Sequence, residues 1–476
     1  MIMMSIGGEP YRNKLGKVKD VINPMTRKKI GEVAMAEPYD VDMAFRVAKE
    51  RQSLWQDLAA DTKEQIFYKA AAKIKEQKEE LADIIVEESG STKQKALGEV
   101  AYSSCLLQAA AGEIRRLYGD TLPDDKPERF SLVIREPLGV VAVISPFNAP
   151  MALFVKMLAF PLAAGNTIVA KPSEETPGIA SKLAEIFTES GLPPGVFNVV
   201  HGLGRDVGAQ VVRHPILDGL TFTGSTPTGK QIGAILGSNL KALHLELGGN
   251  NPLIIMDDCD IEKAAETTLF GSFFHAGQVC MASSRVLIDE KIYQDFIDAL
   301  LPKVLDLSFG DLRDKSTYYG PLINEMAVQS TLRRVNRCVK QGAKVLTGGQ
   351  LLDGWRYAPT ILEGVHRDMD LWQKETFAPV IAVKPFKDAK EALDMANDTA
   401  YGLSAGILCK NFEKSVPIAK KLRCGGVHIG SHPFQSGSMT PVGGRGLSGI
   451  GKSGGKYSTH HFTQLKWVSL HINNAI

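Results

Sequence analysis

Residues 140–148 read Val-Val-Ala-Val-Ile-Ser-Pro-Phe-Asn, a short apolar run that ends in turn-forming and polar residues. Similar runs recur roughly every 20 to 30 residues and are separated by segments with helical spacing. The further runs lie at residues 167–170, 197–200, 219–223 and 242–247. Regular alternation of apolar runs and helical segments is the pattern of βαβ units, whose parallel strands form a sheet covered by helices. We therefore predict a nucleotide-binding α/β domain in this region.

A second alternation begins after Asn251-Pro252 and continues to residue 408. Its first elements are predicted as a strand at 253–256, a helix at 260–275, a strand at 285–289 and a helix at 291–307. The chain is therefore expected to contain a second α/β unit.

The residues before this region follow a different pattern. Residues 15–35 alternate around Asn23-Pro24, which predicts a short hairpin. Helices are predicted at residues 40–54, 61–88 and 93–117. Their candidate N-caps are Asp40 and Asp61, and their candidate stops are Gly90 and Gly119.

Two stretches read as exposed strands of an arm that leaves the domain body. Residues 120–137 contain three prolines around the alternating run 130–134, and residues 462–470 alternate in the same way. An extended arm has edges that a monomer leaves unpaired, so we expect it to pair across a subunit boundary.

Composition excludes several classes of protein. The chain has 476 residues, 44% hydrophobic and 23% charged, which is typical of a soluble protein with two large domains. A net charge of +2 does not favour a nucleic-acid or acidic-membrane partner. The six cysteines have no disulfide-like or metal-ligand spacing, and no basic region precedes an apolar leader. We expect a reduced, cytoplasmic protein without a metal site.

The candidate chemistry centres on Cys280 and Glu246. Cys280 stands among small residues in Ala-Gly-Gln-Val-Cys-Met-Ala-Ser-Ser, and Glu246 precedes Leu-Gly-Gly. Such a thiol and carboxylate are suited to act as nucleophile and base. A lone cysteine is more often a small buried residue, so the surrounding motifs decide between these interpretations.

The search for a dinucleotide site gives a near match. In Gly202-Leu-Gly204-Arg-Asp-Val-Gly208 the third glycine is one place late for GxGxxG. Lys171-Pro-Ser173-Glu174 follows a predicted strand directly, where a lysine and a carboxylate are able to hold the hydroxyls of an adenosine ribose. The carboxylate would repel a 2′-phosphate, which favours NAD over NADP.

Seven motifs in order resemble the signature set of the NAD(P)-dependent aldehyde dehydrogenase superfamily. They are Ser145-Pro-Phe-Asn148, Lys171-Pro-Ser-Glu174, Phe222-Thr-Gly-Ser225, Leu245-Glu-Leu-Gly-Gly249, Phe274-His-Ala-Gly-Gln-Val-Cys280, Glu375-Thr-Phe377-Ala-Pro and Pro441-Val-Gly-Gly444. The resemblance covers nearly the whole chain. The ending Phe462-Thr-Gln-Leu-Lys-Trp-Val-Ser is similar to the clade of benzaldehyde, salicylaldehyde and vanillin dehydrogenases.

The resemblance implies an aldehyde dehydrogenase-like fold, which has two α/β domains and a small β oligomerisation arm. A Rossmann-like cofactor domain would comprise residues 1–118 and 138–248, and a catalytic domain residues 249–445. The arm would comprise residues 119–137 and 459–476. The family further implies a homodimer or homotetramer.

The resemblance also implies a mechanism. Cys280 attacks the aldehyde, and Asn148 with the Cys280 backbone N–H stabilises the oxyanion. NAD accepts hydride, and Glu246 activates water to hydrolyse the thioester. The implied cofactor residues are Ile144, Ser145, Pro146, Phe147, Lys171, Ser173, Glu174, Gly204, Gly208, Phe222, Gly224, Ser225, Leu247, Gly248, Glu375 and Phe377. His275 is expected to be a packed histidine.

The substrate is less defined than the chemistry. Ala149, Met157 and Val442 depart from the common family pattern, and Lys156 is adjacent to the departure at Met157. The clade suggests aromatic aldehydes, with candidate wall residues Phe147, Phe154, Met281 and Phe434. Aliphatic aldehydes or hydroxyaldehydes such as lactaldehyde are alternatives, and a charged aldehyde would require a cation such as Lys156 or Arg445.

Three other activities are compatible with parts of this pattern. A CoA-acylating dehydrogenase would pass the thioester to a thiol, although Glu246 favours water. A cysteine esterase would use the same cysteine and glutamate without a nucleotide. A non-catalytic relative would bind a dinucleotide only and has no need of the three catalytic candidates.

Overall fold

Two large β-sheets organise the computed structural model, which describes residues 1–472. The strands are β1 Met4–Ile6, β2 Glu9–Tyr11, β3 Val18–Ile22, β4 Lys29–Ala34, β5 Asp120–Leu122, β6 Arg129–Pro137, β7 Val140–Ile144, β8 Thr167–Lys171, β9 Phe197–Val199, β10 Gly219–Thr223, β11 Ala242–Glu246, β12 Asn251–Ile255, β13 Ser283–Asp289, β14 Lys344–Thr347, β15 Leu351–Asp353, β16 Arg356–Tyr357, β17 Thr360–Glu363, β18 Val380–Phe386, β19 Ser404–Leu408, β20 Gly426–Ile429, β21 Gly449–Ile450 and β22 Thr463–His471.

The α-helices lie between and around these strands. They are α1 Pro38–Asp57, α2 Ala60–Glu76, α3 Lys78–Ser89, α4 Lys93–Ile114, α5 Ala152–Ala163, α6 Gly178–Glu189, α7 Ala209–Arg213, α8 Thr226–Ser238, α9 Ile261–Phe273, α10 Tyr293–Leu305, α11 Glu325–Lys340, α12 Asp370–Gln373, α13 Ala389–Asn397, α14 Phe412–Lys421 and α15 Gly455–His461. No helix within residues 1–472 is both long and apolar enough to cross a bilayer.

The first sheet has eight strands in the order β2-β1-β9-β8-β7-β10-β11-β21. Its five central strands, β9-β8-β7-β10-β11, run parallel. Strand β1 pairs antiparallel with β9 at one side, and β21 pairs antiparallel with β11 at the other. The five apolar runs of the sequence form these central strands, as predicted. Both faces of such a sheet are covered by helices, which explains why its strands are uniformly apolar.

The second sheet has seven strands in the order β14-β17-β18-β13-β12-β19-β20. All neighbours are parallel except β14, which pairs antiparallel with β17. The second alternation is therefore confirmed as an α/β unit. The division of the chain into domains at the residues given above stays a prediction.

The N-terminal hairpin is confirmed as β3 and β4, but two of the predicted helix caps are wrong. Helix α1 begins after Glu37, and the Asp40 carboxylate accepts a hydrogen bond from the Glu37 N–H at 2.8 Å. Asp40 is therefore the N3 residue of a capping box, and Glu37 is the N-cap. Helix α2 begins after Ala59, so Asp61 lies in its first turn.

Of the two glycines predicted to end helices, one is confirmed and one is wrong. Gly90 ends α3 with a left-handed φ of 67°, a conformation that glycine adopts without steric cost. Helix α4 already ends at Ile114, so Gly119 does not stop it. The predicted helix 61–88 is divided at Gln77 into α2 and α3.

A separate three-stranded sheet, in the order β22-β6-β5, contains the two stretches predicted to form an arm. Strand β22 pairs antiparallel with β6 over nine residue pairs, from Thr463 with Pro137 to His471 with Arg129. Its exposed apolar side chains include Phe130, Leu465 and Trp467. Residues 473–476, the end of the predicted arm, lie outside the described residues.

Candidate active site

A cavity of about 680 Å³ brings Cys280, Glu246 and Asn148 together. Asn148 follows the end of β7, Glu246 is the last residue of β11, and Cys280 lies just before β13. The cavity is thus lined by the ends of strands from both large sheets. The three residues predicted to carry the chemistry share one site.

The loop before Cys280 has an unusual backbone. After α9 ends, His275, Ala276 and Gly277 all have left-handed φ values of 51°, 53° and 66°. A Cβ atom on Gly277 would lie 2.2 Å from the Ala378 carbonyl oxygen, so only glycine fits there. Non-glycine residues with positive φ store strain and are found most often at functional sites.

The surroundings of Cys280 disfavour its thiolate. Burial, followed by the Glu246 and Glu375 carboxylates, raises the pKa of the Cys280 thiol to about 12. The Met281 N–H and the Lys156 ammonium act in the opposite direction. The resting group at neutral pH is therefore the thiol, and attack on a carbonyl requires removal of its proton.

Glu246 is buried at the end of β11 and faces a histidine. Its Oε1 atom lies 3.5 Å from Nε2 of His244, two residues earlier on the same strand. A Cβ atom on Gly443 would lie 2.8 Å from the same Oε1 atom, so a glycine leaves room for the carboxylate. Glu246 lines the cavity, where it is able to reach a water molecule beside Cys280.

Asn148 is fixed by two hydrogen bonds. Its side-chain Nδ2 donates to the Gln278 carbonyl oxygen at 2.8 Å, and its own carbonyl oxygen accepts from Lys95 Nζ at 2.6 Å. Helix α5 begins only after Met151, so Asn148 is not its cap. An amide nitrogen has two N–H donors, and the second is free to stabilise an oxyanion.

Lys95 ties this loop to the helical layer. Besides Asn148, it contacts Glu99 and donates to Ser91 Oγ at 2.9 Å. Glu99 Oε2 in turn accepts hydrogen bonds from the Met151 and Ala152 N–H groups. This buried network holds the start of α5 and Asn148 in one position.

Aromatic side chains form one wall of the cavity. The predicted wall residues Met281 and Phe434 line it, and Phe270 and Phe274 join them. The Phe274 ring lies 5.7 Å from that of Phe434 and 4.8 Å from that of Phe270. Such a wall suits a flat or apolar substrate.

Two predicted wall residues lie elsewhere. Phe154 is fully buried in the core, where its ring packs against Phe197, and it does not line the cavity. The prediction was wrong because position in sequence did not show which side of α5 faces the cavity. Phe147 also lies outside the lining and makes an edge-to-face contact with Phe377 at 5.9 Å.

A polar patch interrupts the apolar lining. Lys156 Nζ donates to Ser436 Oγ at 3.2 Å, and the Tyr102 hydroxyl lies 2.8 Å from the same oxygen. Burial lowers the pKa of Lys156 to about 8, although Glu246 and Cys280 oppose the change. Among residues 1–472, no carboxylate oxygen lies within 4.0 Å of this ammonium group. Arg445, the other candidate cation, is exposed and outside the cavity lining.

The departures from the family pattern affect the same cavity. Ala149, Met157 and Val442 all line it. The Thr223 hydroxyl lies 3.2 Å from Met157 Sδ. These smaller or uncharged side chains shape the space around the catalytic residues.

Predicted cofactor residues lie along the carboxyl ends of the parallel strands β8, β7, β10 and β11, an edge called the cofactor edge. Ile144 ends β7, and Ser145, Pro146 and Phe147 follow it. Lys171 ends β8 and its Nζ lies 3.2 Å from Glu174 Oε2. Ligands of open α/β sheets bind at this edge.

The glycine segment 202–208, which nearly matches GxGxxG, lies beside the Lys171–Glu174 pair. The Gly204 N–H points at Glu174 Oε1 at 3.4 Å, and a Cβ on Gly208 would lie 3.5 Å from the Lys171 side chain. Ser173 Oγ accepts a hydrogen bond from the Glu175 N–H. The exposed Gly204 has no atom within 4 Å of a Cβ position, which leaves space for a planar group.

The N-terminus of α8 follows β10 directly and lies at the same edge of the sheet. Ser225 is its N-cap and accepts from the Thr228 N–H at 3.4 Å. A Cβ on Gly224 would lie 2.4 Å from the Phe222 ring, and Leu247 packs equally closely on Gly229. Free N–H groups at a helix N-terminus attract phosphate oxygens.

Glu375 contacts the segment that follows β11, and Phe377 contacts Phe147 after β7. Glu375 Oε1 accepts a hydrogen bond from the Gly249 N–H at 3.1 Å, and burial raises the pKa of this carboxyl to about 7. A Cβ on Gly248 would lie 2.2 Å from Glu375 Oε2, so a side chain at this position would displace the carboxyl group. The Lys171–Glu174 pair, the N-terminus of α8 and the Glu375 carboxyl are groups that suit the riboses and phosphates of a dinucleotide.

A model of the aldehyde dehydrogenase family matches residues 11–468. The chain belongs to the aldehyde dehydrogenase family. It is 36% identical over 467 residues to a benzaldehyde dehydrogenase of Bacillus subtilis (strain 168), covering 98% of this chain and 96% of that protein. It is 35% identical over 467 residues to a mitochondrial succinate-semialdehyde dehydrogenase of Oryza sativa subsp. japonica, covering 98% and 88%.

A solved structure agrees with the fold of this aldehyde dehydrogenase. Betaine aldehyde dehydrogenase from Staphylococcus aureus, in complex with NAD+, superposes with a TM-score of 0.98 at 31% identity. The match covers 100% of this chain and 96% of that chain. The predicted family and the α/β fold class are therefore confirmed.

Several site residues were not predicted from the sequence. They are Tyr102, His244, Phe270, Phe274 and Ser436. His244 could have been found, because two residues at i and i+2 on a strand point to the same face. Tyr102 and Ser436 are 334 positions apart, and only the folded chain brings them together. His275 is buried and lies outside the cavity lining, as expected for a packed histidine.

Titratable side chains elsewhere do not assemble a metal site. Within the described part of the chain, residues 1–472, no group of three or more His, Cys, Asp or Glu residues is placed to hold an ion.

Proposed function

We propose that this protein oxidises an aldehyde to the carboxylic acid with NAD through a thioester on Cys280. The observation that carries the proposal is the meeting of Cys280, Glu246 and Asn148 in one cavity. A thiol, a base and an amide donor are the three groups that the reaction needs.

The first step is addition of the Cys280 sulfur to the aldehyde carbon. The Cys280 thiol passes its proton to water as the new C–S bond forms, because its pKa of about 12 keeps it protonated at rest. The carbonyl oxygen gains negative charge, which the free N–H of the Asn148 amide and the Cys280 backbone N–H stabilise. Loss of one such donor costs on the order of 10²–10³ in rate.

NAD, when bound, supplies the hydride acceptor that turns the thiohemiacetal on Cys280 into a thioester. Lys171 and Glu174 would hold the adenosine ribose, and the N-terminus of α8 at Ser225 the phosphates. Glu375 would hold the second ribose, with Phe377 beside the ring that reacts. The Glu174 carboxylate would repel a 2′-phosphate and favours NAD over NADP.

Hydrolysis completes the cycle. Glu246 takes a proton from water, whose oxygen attacks the thioester carbon, and the C–S bond breaks to release the carboxylic acid. A CoA-acylating enzyme would not need a buried base at this place. Glu246 therefore favours water as the acceptor.

The aromatic wall favours an aromatic or medium-size apolar aldehyde. Phe270, Phe274 and Phe434 form a continuous apolar surface on one side of the cavity. Similarity to a benzaldehyde dehydrogenase over nearly the whole chain supports the same substrate class. Aliphatic aldehydes and hydroxyaldehydes would bury less surface against this wall.

A second candidate substrate is an aldehyde that carries a carboxylate. Lys156 favours it, because a buried ammonium group with a neutral hydroxyl as its hydrogen-bond acceptor is able to gain from an anionic ligand. Similarity to a succinate-semialdehyde dehydrogenase supports this alternative.

We propose that the protein is a cytoplasmic homodimer or homotetramer. All six cysteines are free, which suits a reducing compartment. The small sheet β22-β6-β5 exposes apolar side chains that a second subunit would cover.

The test is reduced-nicotinamide formation from benzaldehyde, vanillin, propanal, lactaldehyde and succinate semialdehyde, with NAD and NADP in parallel. Turnover with NAD in the absence of CoA is expected. Turnover that requires CoA would refute the hydrolytic reaction, and ester hydrolysis without aldehyde oxidation would refute the dehydrogenase.

A further inference from the structure

His244 and Glu246 present two buried polar atoms to each other. His244 Nε2 and Glu246 Oε1 are 3.5 Å apart, and neither has a hydrogen-bond partner within the described residues. Both side chains leave the same face of β11, and both line the catalytic cavity. A buried polar atom without a partner costs free energy, so an unpaired facing pair calls for a functional explanation.

The other ring nitrogen fixes the orientation of this histidine. His244 Nδ1 lies 3.0 Å from Thr221 Oγ1, and the two residues are paired neighbours on the parallel strands β10 and β11. A hydrogen bond at Nδ1 that uses the ring proton leaves the lone pair of Nε2 directed at Glu246. A protonated Glu246 would then find an acceptor 3.5 Å away, a distance that small side-chain rotations close.

We propose that His244 accepts the proton that Glu246 removes from the hydrolytic water, so that it is the proton relay of the hydrolysis step. The inference rests on the proposed function. When the water oxygen bonds to the thioester carbon, its proton moves to Glu246 and the C–S bond breaks, leaving the electron pair on sulfur. Glu246 then transfers this proton to His244 Nε2 and regains its charge, and the imidazolium releases the proton to water in the cavity.

Other charged groups face the pair from the surrounding elements. Lys156 on α5, Lys452 after β21 and Cys280 are all close enough to Glu246 for their charges to interact with it. Lys452 itself is held by the Gly443 carbonyl oxygen.

A second histidine provides a matched control. His461 on α15 has its ring 5.5 Å from that of His244, but its Nε2 lies 3.0 Å from the Leu243 carbonyl oxygen. Burial and His244 together lower the pKa of His461 to about 4, so it stays neutral. It shares the surroundings of His244 but does not contact Glu246.

The experiment measures NADH formation by rapid mixing with benzaldehyde, or with the best aldehyde of the panel. The proteins are the wild type, His244→Ala, His244→Gln and His461→Gln, each with and without added imidazole. A relay variant should keep the initial burst and lose about 10²-fold in the steady-state rate, the lower end of the range for proton-transfer groups. Imidazole should restore the steady state of His244→Ala, because the missing ring leaves a space that opens to the cavity.

The variants separate proton transfer from packing. His244→Gln retains side-chain volume and hydrogen bonding but carries no proton, and it should be as slow as His244→Ala. His461→Gln should behave as the wild type. An unchanged steady state, an equal loss of burst and steady state, a normal His244→Gln or no effect of imidazole would each overturn the relay. A wild type without turnover would instead overturn the proposed function.

Discussion

Replacement of Lys156 with methionine separates the two candidate substrate classes. The ammonium group lies in the cavity with Ser436 Oγ at 3.2 Å as its hydrogen-bond acceptor. A hydrogen bond to a charged group contributes about 1.5 to 3 kcal/mol, which corresponds to about 10- to 150-fold in kcat/KM. Lys156→Met should lower kcat/KM for succinate semialdehyde by this factor and leave benzaldehyde nearly unchanged.

The same replacement should stabilise the protein. Burial lowers the pKa of Lys156 from 10.5 to about 8, so the folded state disfavours the charged form. At 1.36 kcal/mol per pKa unit the penalty is about 3 kcal/mol at most. The penalty is fully present below pH 8 and is relieved as the pH rises from 8 towards 10.5. At pH 7 we expect Lys156→Met to melt a few degrees higher.

The pH dependence gives an independent readout in the wild type. Lys156 loses its charge as the pH rises through about 8. The ratio of kcat/KM for succinate semialdehyde to that for benzaldehyde should therefore fall across this pH, and titration of Cys280 cancels from the ratio. In Lys156→Met the ratio should be flat.

The assay is steady-state reduced-nicotinamide formation with both aldehydes, together with thermal unfolding. Arg445→Met is the control, because Arg445 is exposed and outside the cavity lining. Equal losses on both aldehydes, or a lower melting temperature, would contradict the assignment of Lys156 as a site for a substrate anion.

Four further outcomes are expected. Cys280→Ala should abolish aldehyde oxidation and still bind NADH in a fluorescence titration; retained turnover would contradict the nucleophile. Glu246→Gln should give a normal NADH burst and a steady state slower by about 10² or more, whereas equal slowing of both phases would point to another base. Glu174→Ala should raise the NADP to NAD preference about tenfold, equivalent to 1.4 kcal/mol, and an unchanged preference would argue against the ribose contact. Leu465→Asp should reduce the molar mass measured by light scattering, whereas Leu240→Asp, on an exposed turn, should not.

The five central strands of the first sheet, and β12 and β13 of the second, could be predicted because their information is local. Each central strand is a short apolar run buried on both faces, and turn residues bound it. Helix boundaries were less accurate, since capping depends on which of several polar residues meets free N–H groups. Asp40 and Asp61 both lie near the right place, yet the chain enters the helices at Glu37 and Ala59.

The candidate site also contains residues that could be predicted from the sequence and residues that could not. Cys280, Glu246 and Asn148 stand in motifs whose spacing points to their chemistry. The cavity wall depends on contacts across hundreds of residues, such as Tyr102 with Ser436, which no local pattern encodes. Phe154 illustrates the limit, because only the packing of α5 decides that it faces the core while Lys156, two residues later, faces the cavity.

The electrostatics of Cys280 indicate which half of the reaction needs assistance from the protein. Two carboxylates and burial raise the pKa of this thiol to about 12. A thiolate of high pKa is a strong nucleophile but a poor leaving group. In the proposed reaction, attack on the aldehyde would therefore be fast once the proton is removed, whereas expulsion of the same sulfur from the thioester would be slow. The buried base Glu246, with His244 behind it, bears on this second step, and this is why loss of either side chain is expected to spare the burst and slow the hydrolysis.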